Sequence, residues 1–141
     1  SGHSAGGHLA AMALATDWPG DYGLPADLVG GAILLSGLYD LRPFPFTYLQ
    51  PALQLTTRES LELSPIDVVP RTSRPVLVAV GEAESAEFRR QSRDFAERWQ
   101  AGGAAAHFLQ LPGADHFTAL DQQFDPAGPL LRRLTEWSDG Q

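Results

Sequence analysis

The sequence predicts an α/β fold in which a mostly parallel sheet is flanked by helices. Short apolar runs bounded by turn residues are typical of strands that are covered on both faces. Segments with helical composition or periodicity lie between these runs, and strands that alternate with helices indicate a parallel sheet. The apolar runs are Leu28–Leu35, Pro75–Val80 and Ala105–Leu111.

Composition excludes several classes of function. The 141 residues are 43% hydrophobic, carry a net charge of −7 and contain no Lys, which argues against binding to nucleic acid or to an anionic membrane surface. The absence of Cys excludes thiol catalysis, disulfides and Cys-ligated zinc. No apolar run reaches the length of roughly 18 residues that would suggest a membrane span. A cytoplasmic location is the expectation that fits these features.

The elements can be assigned in chain order from local signals. Gly6–Thr16 is rich in Ala and Leu and suits a buried helix. Trp18–Asp27 carries Pro and Gly and is expected to be a loop that leads into the first apolar run. Ala83–Ala101 is an amphipathic helix that ends at a Gly pair, and Pro129–Trp137 is a closing helix.

Residues 38–74 differ from the rest of the chain because five prolines interrupt them. One helical stretch is expected near Arg58–Leu63. We therefore expect a cap-like insertion within a single domain over residues 1–141. The aromatic residues Phe44, Phe46 and Tyr48 either form the wall of a substrate pocket or anchor this segment.

The first motif is Gly2-His3-Ser4-Ala5-Gly6, a G-x-S-x-G pentapeptide that leads directly into the first helix. A nucleophilic Ser on a sharp strand-to-helix turn stands clear of the sheet. Small residues two positions before and after it are expected to let the turn close. The helix N-terminus points toward a developing oxyanion.

Two further candidates follow predicted strands. His116 lies on a turn made by Pro112 and Gly113, just after the last strand. Three acids, Glu82, Glu84 and Glu87, follow the strand before it, where an acid can orient a His ring. Acids also favour the first turn of a helix for electrostatic reasons, and this alternative accounts for some of the three.

The chain order of these candidates is Ser4, then an acid near position 84, then His116. This order is that of the α/β hydrolases, and it differs from the orders in chymotrypsin and subtilisin. Each candidate is also expected just beyond a strand or a strand-to-helix turn, where ligands gather in parallel sheets.

Four stretches resemble the arylformamidase-like (kynurenine formamidase) and esterase branch of the α/β hydrolases, and the resemblance extends over nearly the whole chain. They are SGHSAGGHLAAMALATDW, LLSGLYDLRP, VAVGEAESAEFRRQS and LPGADHF.

This resemblance implies an α/β-hydrolase fold with Ser4 as nucleophile, His116 as general base and Glu84 as the acid of the triad. In several members of the family the acid is Asp. Glu87 is the second choice for this role and Glu82 the third.

The family also carries an upstream H-G-G loop that donates to the oxyanion, and no such run exists in this sequence. The expectation is that the chain is the C-terminal portion of the fold, truncated at its N-terminus. The backbone N–H of Ala5 is the oxyanion donor expected within it.

The predicted function is hydrolysis of a carboxylic ester or small amide through an acyl-enzyme, with a small-molecule substrate and no cofactor or metal. The alternative is a non-catalytic binding or scaffold member of the same fold. His3, next to the nucleophile, is expected to pack near the site, and the sequence does not indicate an oligomeric state.

Overall fold

The computed structural model describes residues 1–68 and 73–139. Its sheet has four strands in the order β1-β2-β3-β4, and every neighbouring pair is parallel. The parallel sheet predicted from the alternating pattern is therefore confirmed. The strands are β1 (Gly2–His3), β2 (Ala32–Leu35), β3 (Pro75–Gly81) and β4 (Ala105–Leu111).

Helices connect the strands, as the crossover between parallel strands requires. The described helices are α1 (Ala5–Ala15), α2 (Trp18–Tyr22), α3 (Gln50–Leu53), α4 (Thr57–Glu62), α5 (Ala86–Ala101), α6 (Thr118–Asp121) and α7 (Pro129–Asp139). Short 3-10 helices occupy Phe44–Phe46, Pro65–Asp67 and Gln122–Phe124.

The apolar face of α5 packs on the sheet and forms the main core. Phe95 and Trp99 are fully buried, and the Phe95 ring stacks on Tyr39 with centroids 4.3 Å apart. The indole N–H of Trp99 donates to the Pro65 carbonyl at 3.0 Å. Burial raises the pKa of Tyr39, so its phenol stays neutral within the core. This packing fixes the turn after β2 against α5.

Two sequence-based assignments before β3 were wrong. The expected loop over Trp18–Asp27 contains α2, which Asp17 caps through its side chain and which Gly23 ends in a left-handed conformation. β2 begins at Ala32 rather than Leu28. At Gly31 φ is 152°, and an added Cβ would lie 2.8 Å from the Pro75 carbonyl oxygen, so the position just before β2 favours glycine.

The segment of residues 38–74 contains short helices and no strand in its described part, 38–68 and 73–74. The helical stretch expected near Arg58 is α4, which begins with a capping box between Thr56 and Glu59. Pro70, one of the five prolines, lies outside the described residues. The assignment of this segment as a cap-like insertion, and of the chain as one domain, stays a prediction.

Candidate active site

Ser4 lies on the sharp turn between β1 and α1. Its φ of 56° is in the left-handed region, which non-glycine residues rarely adopt. The Ser4 N–H donates to the Leu35 carbonyl at 3.0 Å, and the Ser4 carbonyl accepts from the His8 N–H at 3.1 Å. Such strain in a non-glycine residue occurs mainly at functional sites.

The glycines around this turn differ in what they contact. A Cβ on Gly2 would lie 2.0 Å from the Gly6 carbonyl oxygen, so this position requires glycine. A Cβ on Gly6 would meet no heavy atom within 4 Å, whereas one on Gly7 would lie 2.9 Å from the Gly37 Cα. A small residue was expected at position 6 to let the turn close, but the space around Gly6 does not require one. Gly7 requires glycine for a different reason, which is the close approach of α1 to the turn after β2.

The structure brings three of the expected residues into one hydrogen-bonded chain. The His116 Nε2 lies 3.1 Å from the Ser4 hydroxyl oxygen, and the His116 Nδ1 lies 2.7 Å from Glu84 Oε2. An ionised carboxylate can only accept a hydrogen bond, so Nδ1 carries the imidazole proton. Nε2 is then free to accept from the Ser4 hydroxyl.

Glu84 is held by contacts on its other oxygen. Its side chain is fully buried beside His116. Oε1 accepts the Gly81 N–H at 2.8 Å and the Ser36 hydroxyl at 2.5 Å. The guanidinium of Arg89 donates to the Glu84 carbonyl at 2.9 Å, which ties the turn to α5. These donors leave Oε2 directed at the imidazole.

The two alternative acids have other partners. Glu87 accepts from the guanidinium of Arg90 at 2.7 Å and from the Gln91 amide at 2.9 Å. The hydrogen bond from Arg90 is the main reason that the pKa of Glu87 lies below its ordinary value. Glu82 accepts from the Gly113 N–H at 3.0 Å and so holds the turn that carries His116.

Aromatic rings flank the imidazole of His116. His3 and Phe88 lie with ring centroids 4.6 Å and 4.5 Å from it. The His3 Nε2 donates to the His116 carbonyl at 2.8 Å, so the residue before Ser4 also positions the His116 loop. The expectation that His3 packs near the site is confirmed, and the contact is more specific than the motif predicted.

A cavity of about 400 Å³ opens beside Ser4 and His116. Its walls are mostly apolar, and Gln91 and Glu87 supply polar groups. Phe44 and Tyr48 both line the cavity, although the Tyr48 side chain is largely exposed. Phe46 is 91% exposed and is absent from the described lining of this cavity. The remaining lining residues are Leu38, Pro43, Thr47, Leu49, Ser85 and Phe88.

Asp40, on the turn after β2, lies beside the site without contacting His116. Its carboxylate accepts from Arg42 at 2.7 Å and from Arg90 at 3.3 Å. Burial alone would raise the pKa of Asp40, but these hydrogen bonds lower it below the ordinary value. The Gln91 side chain also accepts both the Tyr39 and the Asp40 N–H at 2.9 Å, which fixes this turn on α5.

Sequence reasoning did not assign site roles to Ser36 or Arg89. Both act through contacts with residues more than four positions away, for which no spacing rule exists. The one available signal for Ser36 is its place directly after β2, at the sheet edge where Ser4 and Glu84 also lie.

The chain is similar to known proteins that are named as a formamidase, a thioesterase and an esterase. Kynurenine formamidase of Salmo salar is 38% identical over 130 residues, which cover 88% of this chain and 44% of that protein. A solved structure of a putative thioesterase from Silicibacter sp. TM1040 is 28% identical, with a TM-score of 0.79 over 93% of this chain and 47% of that one. No protein-family model matches the sequence.

The fold of a third protein, the Thermogutta terrifontis esterase Est2, matches with a TM-score of 0.63 over 99% of this chain and 51% of that one, at 22% identity. The chain spans a little under half the length of the curated relatives it matches. In residues 1–68 and 73–139, no helix combines the length and apolar character needed to cross a bilayer. The chain has the α/β-hydrolase fold and is similar, within that superfamily, to the arylformamidases and esterases.

Proposed function

We propose that this chain carries the catalytic residues of a serine hydrolase that cleaves a carboxylic ester or small amide through an acyl-enzyme. The observation that supports it most strongly is the hydrogen-bonded chain from Ser4 through His116 to Glu84. Nucleophile, base and orienting acid in this arrangement are the requirements of covalent acyl transfer.

In this mechanism the Ser4 oxygen attacks the carbonyl carbon as His116 Nε2 takes its proton. Glu84 holds the imidazole in the required tautomer and stabilises the imidazolium that forms. The tetrahedral intermediate collapses as His116 returns the proton to the leaving group. Water then attacks the acyl-enzyme with His116 again as base, and the proton returns to the Ser4 oxygen as the carboxylic acid product leaves. The Ala5 N–H, at the start of α1, is proposed to donate to the oxyanion.

The cavity supports a substrate with an apolar or aromatic portion, because its walls are mostly carbon. Relatives named kynurenine formamidase favour an amide, and the fold of Est2 also serves an esterase. We therefore propose aryl esters and aryl formamides as the first substrates to compare.

A fluorophosphonate probe tests the proposal directly, because it reacts with an activated serine and not with an ordinary one. We expect stoichiometric labelling, located at Ser4 by peptide mass spectrometry, and no labelling of Ser4→Ala. Ser73 is exposed and is not among the described residues that line the cavity, so Ser73→Ala removes an ordinary accessible serine, serves as the control and should label normally.

The alternative from a different class is a non-catalytic binding or scaffold protein with this fold. Such a protein would retain the cavity and bind ligands, yet it would give no labelling at Ser4 and no turnover of an aryl ester. Either labelling at another serine or the absence of labelling in folded protein would exclude the proposed mechanism.

A further inference from the structure

Ser36 combines full burial with an unusual backbone. It follows β2, has 0% exposure and adopts a φ of 49°, in the left-handed region. A non-glycine residue in such a conformation is strained, and it persists only where its surroundings hold it. Its hydroxyl donates to Glu84 Oε1 at 2.5 Å, and its N–H donates to the Ala79 carbonyl at 2.7 Å.

The residues on either side of Ser36 contact the nucleophile turn. The Leu35 carbonyl accepts the Ser4 N–H at 3.0 Å. The Gly37 Cα lies so close to α1 that a Cβ on Gly7 would be 2.9 Å from it. Three consecutive residues thus contact both the turn that carries Ser4 and the acid that faces His116. A shift at Ser36 would alter both.

We infer that Ser36 is a positioning residue for the proposed reaction, and this inference rests on the proposed function. With the Gly81 N–H, its hydroxyl fixes Oε1 of Glu84, so that Oε2 stays directed at His116 Nδ1. Donors to a carboxylate form charge-assisted hydrogen bonds, which restrict rotation of the group more than neutral ones do. Ser36 itself does not line the cavity.

Two substitutions separate this role from a purely structural one. Ser36→Ala removes the hydroxyl and keeps the strained backbone. Ser36→Gly also removes the hydroxyl, but glycine adopts a positive φ without steric cost. If Ser36 acts through its hydroxyl, the two variants lose activity equally. If only the backbone conformation matters, both variants keep the activity, because alanine retains the backbone and glycine adopts the same φ at a lower steric cost.

With 4-nitrophenyl acetate as substrate, we expect kcat to fall about 10-fold in both variants, because a hydrogen bond to a charged group is lost. KM should stay within about twofold, since no wall of the cavity changes. Ser92→Ala is the matched control: Ser92 is equally buried, and its hydroxyl has no partner among the described residues. Its kcat should equal that of the unsubstituted protein.

A double-mutant cycle tests whether Ser36 acts through the acid. In a Glu84→Ala background, Ser36→Ala should lower the residual kcat less than twofold, because no carboxylate remains to be positioned. A full 10-fold loss in that background would overturn the inference.

The NMR signal of the His116 Nδ1 proton gives a readout that does not depend on turnover. We expect it to shift and to exchange faster with water in both Ser36 variants, and to be unchanged in Ser92→Ala. If the unsubstituted protein neither labels nor turns over ester, the proposed function fails, yet this signal still tests the positioning role. An unchanged signal in both Ser36 variants would overturn the inference.

Discussion

The turns that follow β2 and β3 leave the same edge of the sheet, yet their acids have different partners. Glu84, after β3, faces His116 at 2.7 Å, whereas Asp40, after β2, is paired with Arg42 and Arg90. Both acids are buried, with 5% of each residue exposed. The two acids therefore differ in their partners and not in burial or in position along the sheet edge. The partner determines whether the acid orients an imidazole or stabilises a turn.

The largest expected effect comes from Glu84→Gln. An amide cannot stabilise the imidazolium as a carboxylate does, and it can favour the wrong tautomer of His116. We expect kcat on an aryl ester to fall by roughly 10²–10⁴-fold. The melting temperature should change little by comparison, because the amide keeps the shape of the side chain. A loss of less than about threefold would contradict the role of Glu84.

Local patterns were sufficient to predict much of this site. The pentapeptide around Ser4 and the turn before His116 are short motifs, and the structure places them where such motifs are expected. β4 was predicted with its observed bounds because its apolar run ends at Pro112. The choice of Glu84 over Glu87 rested on resemblance, and spacing alone could not separate two acids three residues apart.

The remaining features depend on contacts that no local pattern encodes. α5 begins at Ala86 rather than Ala83 because Ser85 caps it by accepting the Phe88 N–H. That cap leaves Glu84 in the turn, where it can reach Gly81 and the imidazole. The Ser36 hydroxyl meets Glu84 across 48 positions of sequence, so only the fold reveals the contact.

Replacement of the Asp40 carboxylate should affect the stability of the protein and not its catalysis. Asp40→Asn keeps an acceptor for the Arg42 N–H but loses the charge between two guanidinium groups. Both arginine side chains are more than 40% exposed, so solvent screening reduces the expected cost to about 1 kcal/mol of unfolding free energy. Urea unfolding measures it, and kcat should stay within about threefold.

This stability difference should depend on pH in a defined direction. The pKa of Asp40 is lower in the folded protein than its ordinary value of about 3.9. The contribution of its charge is therefore fully present above that ordinary value and is lost as the pH falls through the lower, folded value. The difference between the unsubstituted protein and Asp40→Asn should be constant near neutral pH and shrink below about pH 4. A difference that grows on acidification would contradict the assignment.

The smallest expected effect is that of Glu87→Gln, which compares Glu87 in the first turn of α5 with Glu84 just before that helix. Unlike the fully buried Glu84, Glu87 lines the cavity, and its carboxylate is about half exposed and is bound by Arg90 and Gln91. The kcat of Glu87→Gln should therefore stay within about twofold of the unsubstituted value. Loss of the ion pair should lower the free energy of unfolding by about 0.3–1 kcal/mol, because solvent screens it. Measured beside Glu84→Gln with the same ester, it is the matched control, since both replace a glutamate by its amide within one short stretch.

A larger loss of kcat in Glu87→Gln than in Glu84→Gln would reassign the acid to Glu87. It would require the turn before α5 to rearrange, because the imidazole cannot reach Glu87 while Glu84 occupies Nδ1.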